Sequence, residues 1–313
     1  MYNEEVPYRI EDIDSLSAEE KRKNWGIAFG LQVVDGLSPS KYMMELAEEN
    51  IRGDKTYAEV AEEITSHYRG ERGKIKGGAK LGAVEPQTLE QQAAEPLAAG
   101  TQAAGQWTVE PDKMEPDLVS LRIDKILSEK AFSYGPAALK SIHEELFTGV
   151  FDEAEEVFSG FFTKIYAGQY REHNIEKDER VLGGGSVAYE RANLIEIAMH
   201  DAFKEEESYN YSDKTPEQKA HHVMGFISRL WKIHPFGEGN TRVCATFAVQ
   251  YLRVLGFEID NRPFRDNSQF FRDALVMDNY LAARNSEYLR MFTENLLLGG
   301  KHDLSIPVPA FGF

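Results

Sequence analysis

The stretch "KIHPFGEGNTRVCATF", Lys232 to Phe247, sets a histidine, a carboxylate, two glycines, an asparagine and an arginine ahead of an apolar run. "FISRLWKI" before it reads as a helix that stops at His234, because Pro235 disfavours helical geometry in the residue before it. "PFGEGN" then reads as a loop, and "TRVCATFAVQYLRVLGF" as a second helix with a continuous apolar face. Gly237 to Asn240 therefore stand just ahead of a helix N-terminus. Unpaired backbone N–H groups and the positive end of the helix dipole make such a place a ready anion site. Gly239 lets the backbone come close, Asn240 can cap the helix or bond a ligand, and Arg242 adds a fixed positive charge. Glu238 is an odd neighbour for an anion unless Mg²⁺ bridges it to phosphate oxygens. His234, at the mouth, is a candidate general base for a hydroxyl. A plain loop with a helix cap, and a histidine satisfied in the core, would use the same residues.

Composition narrows the setting. The 313 residues are 42% hydrophobic and 28% charged, with a formal net charge of -17. So acidic a chain is a poor partner for a nucleic-acid backbone, which needs clustered Lys and Arg. The single cysteine, Cys244, excludes an intrachain disulfide and reads as a small buried hydrophobe. The start "MYNEEVPYRIEDIDS" lacks a basic-then-apolar signal. No apolar run approaches the ~20 residues that span a bilayer. The expectation is a cytoplasmic protein with no membrane and no nucleic-acid partner.

Along the chain the texture changes. Residues 1–69 hold three short helical patterns: one from Ser17, with Glu20 completing a capping box; "SPSKYMMELAEENIRG"; and "TYAEVAEEITSHY", capped by Thr56. Residues 70–106, rich in Gly, Ala, Gln and Pro, read as a flexible linker. Residues 107–304 carry most of the helical periodicity, including "FDEAEEVFSGFFTKIYAG", and 305–313 form a tail. "REHNIEKDERVLGGGSVAY" is the exception, polar with three glycines, and reads as a small β-hairpin or flap. His200-Asp201 and His221-His222 lack zinc-type spacing.

"HPFGEGNTR" resembles the Fic motif, H-x-F-x-(D/E)-G-N-x-R, at every anchor position. The resemblance covers about Leu118 to Leu298. It implies an all-α bundle with a β-hairpin flap near Asp178 to Val187, which would pin an extended target segment by backbone pairing. It also implies transfer of AMP from MgATP to a Ser, Thr or Tyr hydroxyl of a target protein, the chain itself included. His234 would be the base and Phe236 the loop's inward anchor. Glu238 would hold Mg²⁺. Gly237, Gly239, Asn240, Thr241 and Arg242 would line the phosphate site, and Asn279, beside Tyr280, would contact the nucleoside.

Two departures matter. The adenylylating form continues G-N-G-R-x-x-R, whereas this chain has Thr241 and Ala245. Without the second arginine, another cation substitutes (Arg180 and Arg191 are candidates), ATP sits less firmly, or the nucleotide turns round. Phosphoryl or another nucleotidyl transfer, and a nucleotide-binding toxin–antitoxin-like module with little turnover, are then the alternatives. The N-terminal helices resemble the antitoxin partners of Fic proteins, whose inhibitory helix carries (S/T)-x-x-x-E-(G/N). Leu31 and Asp35-Gly36 stand at those positions. Both the glutamate and its arginine partner are altered, which leaves an inhibitory unit or one that merely covers apolar surface as the two readings.

Overall fold

A computed structural model describes residues 12–69, 110–129, 131–150, 155–158, 161–183, 185–282 and 284–310. The linker expected over 70–106 lies outside them. Ten helices carry the described fold: α1 (Ala18–Gly30), α2 (Lys41–Arg52), α3 (Tyr57–Arg69), α4 (Met114–Ser128), α5 (Pro136–Phe147), α6 (Ile195–Glu207), α7 (Pro216–Ile233), α8 (Asn240–Val254), α9 (Arg262–Asn279) and α10 (Glu287–Leu297). Ser17 accepts from Glu20 N and closes the expected capping box. Thr215 and Gln218 make the same box at the start of α7. Gly53 ends α2 in the left-handed conformation.

The helix-rich class stands, but the hairpin flap expected at Asp178–Val187 is corrected. Its described residues hold no strand, only a one-turn 3-10 helix, Arg180–Leu182, that Gly183 ends at φ 63°. Glu179 N donates to Gly185 O at 2.9 Å and Gly185 N to Leu182 O at 3.1 Å, bonds of a compact loop and not of a ladder. Two short antiparallel strands, β1 (Glu155–Phe158) and β2 (Phe161–Lys164), lie upstream, with Phe158 opposite Phe161. That stretch reads as helical by spacing, but its Val, Phe and Thr content favours an extended chain.

The N-terminal helices are not a detached unit. Ile27, Ala28 and Leu31 of α1 belong to the main core, together with Val119, Ile123, Phe264 and Phe271. Gly30 makes the α1–α9 crossing possible: a Cβ there would lie 2.3 Å from Phe264 O. A second core joins Trp25, Met43, Leu46, Val60, Ile64 and Tyr68 to Met114, Leu118 and Leu121 of α4. Its polar anchor is Asp117, which accepts from Ser40 N at 2.7 Å, Ser40 Oγ at 2.6 Å and Tyr68 OH at 2.7 Å. Burial raises the Asp117 pKa against those three donors. Among the described residues no helix is long and apolar enough to cross a membrane.

Candidate active site

The loop between α7 and α8 is built from backbone geometry upward. His234 caps α7 at φ 51°, ψ 60°, the one non-glycine residue with positive φ among those described. A histidine there is uncommon and carries local strain. Arg171 holds it in place. Its Nε donates to His234 O at 2.8 Å, and its remaining nitrogens reach the carbonyls of His173, Glu190 and Ile233. The Arg171 amide adds a bond to Pro235 O at 2.9 Å. Burial lowers the Arg171 pKa to about 10, so the guanidinium stays charged at neutral pH.

Asn240 closes the loop on itself. It accepts from Phe236 N at 3.0 Å and donates to Phe236 O at 2.8 Å. Phe236 is fully buried and stacks on His143 at 4.0 Å between ring centres. His143 Nδ1 accepts from Gly168 N at 2.9 Å, which leaves Nε2–H to donate to Glu238 O at 3.3 Å. Burial lowers the His143 pKa to about 3, so this tautomer persists through neutral pH. Gly239, at φ 73°, precedes α8, and a Cβ on it would stand 2.3 Å from the Phe147 ring. A Cβ on Gly237 would meet Ile165 at 3.1 Å. Thr241 accepts from Trp231 Nε1 at 3.0 Å and so ties α8 to α7.

The His234 ring is buried against Tyr189, 4.2 Å between centres. Nδ1 lies 3.3 Å from Trp231 O, which sets the proton on Nδ1. Nε2 is then a buried lone pair with no hydrogen-bond partner among the described residues. Burial first, then the positive charges of Lys177, Arg272 and Arg171, push the His234 pKa well below the usual histidine range. A neutral imidazole with an unprotonated ring nitrogen is the form a general base requires.

Cations collect along this loop and the start of α8. Lys177 is ion-paired to Glu238 Oε1. Arg242 is fully buried, with its guanidinium 4.9 Å over the Phe147 ring. Its Nε lies 2.8 Å from Asp35 Oδ2, and Nη2 donates to Glu115 at 2.8 Å and Nη1 to Gln32 at 3.2 Å. Burial opposes the Arg242 charge, yet Asp35 and Glu115 carry its pKa above the ordinary value. Arg272 donates to the other oxygen of Asp35 at 3.0 Å. Among the described residues no group of three His, Cys, Asp or Glu side chains could hold a metal ion.

The remaining expected residues fall elsewhere. The Asn279 amide donates to Ser228 Oγ at 2.8 Å and Leu275 O at 2.9 Å, spending its donors between α7 and α9. Arg180 is largely exposed and pairs with Asp273 at 2.5 Å, and Arg191 is exposed. Among the described residues neither bonds to the loop between α7 and α8. Ala245 is fully buried. Burial pushes the Cys244 thiol up to about 12, which makes it inert. Sequence reading missed Arg171, His143, Lys177 and Arg272, for which no local pattern gave a signal.

The sequence model of the Fic/DOC family matches residues 133–252. No curated protein matches the chain. Among solved structures, the N-terminal Fic domain of a VirB-translocated Bep effector protein from Bartonella quintana is 15% identical, with a TM-score of 0.42. That match covers 60% of this chain and 85% of the other. A Fic family protein from Desulfovibrio desulfuricans G20 is 13% identical with a TM-score of 0.44, over 92% of this chain and 72% of that one. The His234–Arg242 loop and most of α8 lie inside the matched span, and the chain carries a Fic/DOC family domain across residues 133–252.

Proposed function

We propose that the protein is a Fic-type adenylyltransferase, moving AMP from MgATP to a Ser, Thr or Tyr hydroxyl of a protein, its own chain included. One observation carries the reading: the buried, unpartnered Nε2 of His234, on a neutral ring, at the mouth of a glycine loop that opens a helix. His234 Nε2 takes the proton of the attacking hydroxyl as its oxygen bonds the α-phosphorus of ATP, and the bond to the β-phosphate breaks to release pyrophosphate. The bond at Nδ1 keeps the tautomer, and Arg171 keeps the strained backbone that aims the ring. Backbone N–H groups at the α8 N-terminus, after Gly237 and Gly239, receive phosphate oxygens. Arg242 supplies the fixed charge. Nucleophile and phosphorus are brought together by binding, so positioning and charge supply most of the rate.

Mg²⁺ commonly binds through one or two carboxylates plus substrate phosphates. Glu238 fits that pattern as a single loop carboxylate, and Lys177 competes for the same oxygen. When bound, the ion would neutralise charge on the phosphates.

The N-terminal helices act as a fused inhibitor in this reading. Asp35, Glu115 and Gln32 hold the Arg242 guanidinium from outside the matched span and so compete with phosphate for it. The proposed division keeps residues 1–69 as this inhibitory unit and 107–304 as the enzyme. His234→Ala tests the reading. Transfer should fall about 10²–10⁴-fold with ATP affinity unchanged. Undiminished transfer would remove His234 from the mechanism.

A further inference from the structure

The motif position that should carry a second arginine is Ala245, which is fully buried. A guanidinium nevertheless stands beside Arg242, and it comes from a different helix. Arg272 projects from α9 and donates to Asp35 Oδ1 at 3.0 Å, while Arg242 Nε approaches Asp35 Oδ2 at 2.8 Å. Each oxygen of one carboxylate faces its own arginine. A phosphoryl group presents two oxygens at nearly the same spacing, with more charge and further acceptors.

We infer that Arg272 is the second cation of the phosphate cradle, replacing the arginine absent at position 245, and that the Asp35 carboxylate stands where a phosphoryl group of a nucleoside triphosphate binds. The inference rests on the transferase reading of the same site.

The other partners of Arg272 agree with such a role. Nη1 also donates to Val34 O at 3.2 Å, and Nη2 reaches Glu179 Oε2 at 3.4 Å. Glu179 is itself buried and accepts from Tyr189 OH at 2.5 Å, and Tyr189 packs on the His234 ring. Arg272 is thus braced from below by Glu179 and joined through Tyr189 to the candidate base. Its remaining donors face Asp35 and the 3-10 turn Val33–Asp35, the part that must leave when the site opens. A purely structural clasp on that turn is the competing explanation.

Inorganic tripolyphosphate separates the two. The full chain, Asp35→Asn, Asp35→Asn/Arg272→Gln and Asp35→Asn/Arg272→Lys are titrated by calorimetry, after circular dichroism and thermal unfolding establish that each is folded. Asp35→Asn should bind the probe about 10- to 100-fold tighter than the parent, as a charge-assisted contact becomes available. Arg272→Gln should abolish that gain, and Arg272→Lys should keep part of it. If Arg272→Gln does not fold, protection of Arg272 from phenylglyoxal by tripolyphosphate in the Asp35→Asn chain gives the same answer. Equal affinity with and without Arg272, no protection, or no gain in Asp35→Asn would overturn the inference. Transfer from MgATP that survives loss of Arg272 would leave the transferase reading standing alone. Tripolyphosphate bound through Arg272 with no transfer at all would do the reverse.

Discussion

The carboxylate of Asp35 bridges two guanidinium groups, 2.8 Å from Arg242 Nε and 3.0 Å from Arg272 Nη1. One aspartate from the N-terminal helices therefore closes the anion cradle and pins α8 to α9. Breaking a buried ion pair by removing one partner costs about 3 kcal/mol or more. Asp35→Asn should lower stability by about that amount, measured by urea unfolding, while raising ATP affinity. Deleting residues 1–69 is a worse experiment, because Ile27, Ala28 and Leu31 are part of the main core. The truncated chain is expected to be insoluble.

Gly239 touches Phe147 so closely that a methyl group cannot enter. Gly239→Ala would add both that overlap and a positive φ of 73°, and should destabilise by about 2–4 kcal/mol. Phe147→Leu in the same chain should recover part of the loss, since it shortens the ring that the Cβ meets. Denaturant midpoints of the single and double variants check this. No recovery would place the cost in the backbone alone.

His143 gives stability a pH dependence with a definite sign. Its folded pKa, about 3, lies below the ordinary value of about 6.5. The unfolded chain therefore binds the extra proton first as pH falls. The contribution is full above about pH 6.5 and is lost as pH drops toward 3. His234, also depressed by burial, acts in the same direction. His143→Phe keeps the stack on Phe236 but removes the titration. Its unfolding free energy should vary less steeply with pH across that window than the parent's.

Lys177 and Mg²⁺ compete for Glu238 in this account. Lys177→Met should lower the Mg²⁺ concentration that half-saturates ATP binding, read by calorimetry at fixed nucleotide. Glu238→Gln should raise it. An unchanged Mg²⁺ dependence in both would take Glu238 out of the metal's environment.

Much of this was legible in order of residues, and the reasons for the rest are physical. Helix caps are local, so Ser17 and Thr56 announce their helices, and Pro235 announces the end of α7. The loop "HPFGEGN" is local too, and its residues assemble as one cluster. Spacing failed at residues 155–164, where aromatic and β-branched residues fit both a helical period and a strand. It also failed at 178–187, where three glycines admit a tight loop as readily as a hairpin. Asn279 was named by its place near a helix end, and only the fold shows its amide bonded to Ser228 and Leu275. Arg171, His143, Lys177 and Arg272 were out of reach because their meaning lies in contacts made across long stretches of chain. Asp35 was assigned a lost partner at position 245, and only the fold reveals that Arg242 and Arg272 receive it.

Intact-protein mass after incubation with MgATP tests the central claim most directly, run on Asp35→Asn and on Asp35→Asn/His234→Ala. The account predicts a gain equal to one AMP in the first and none in the second. A gain equal to one phosphate, an equal gain in both chains, or no gain in the opened chain would contradict it.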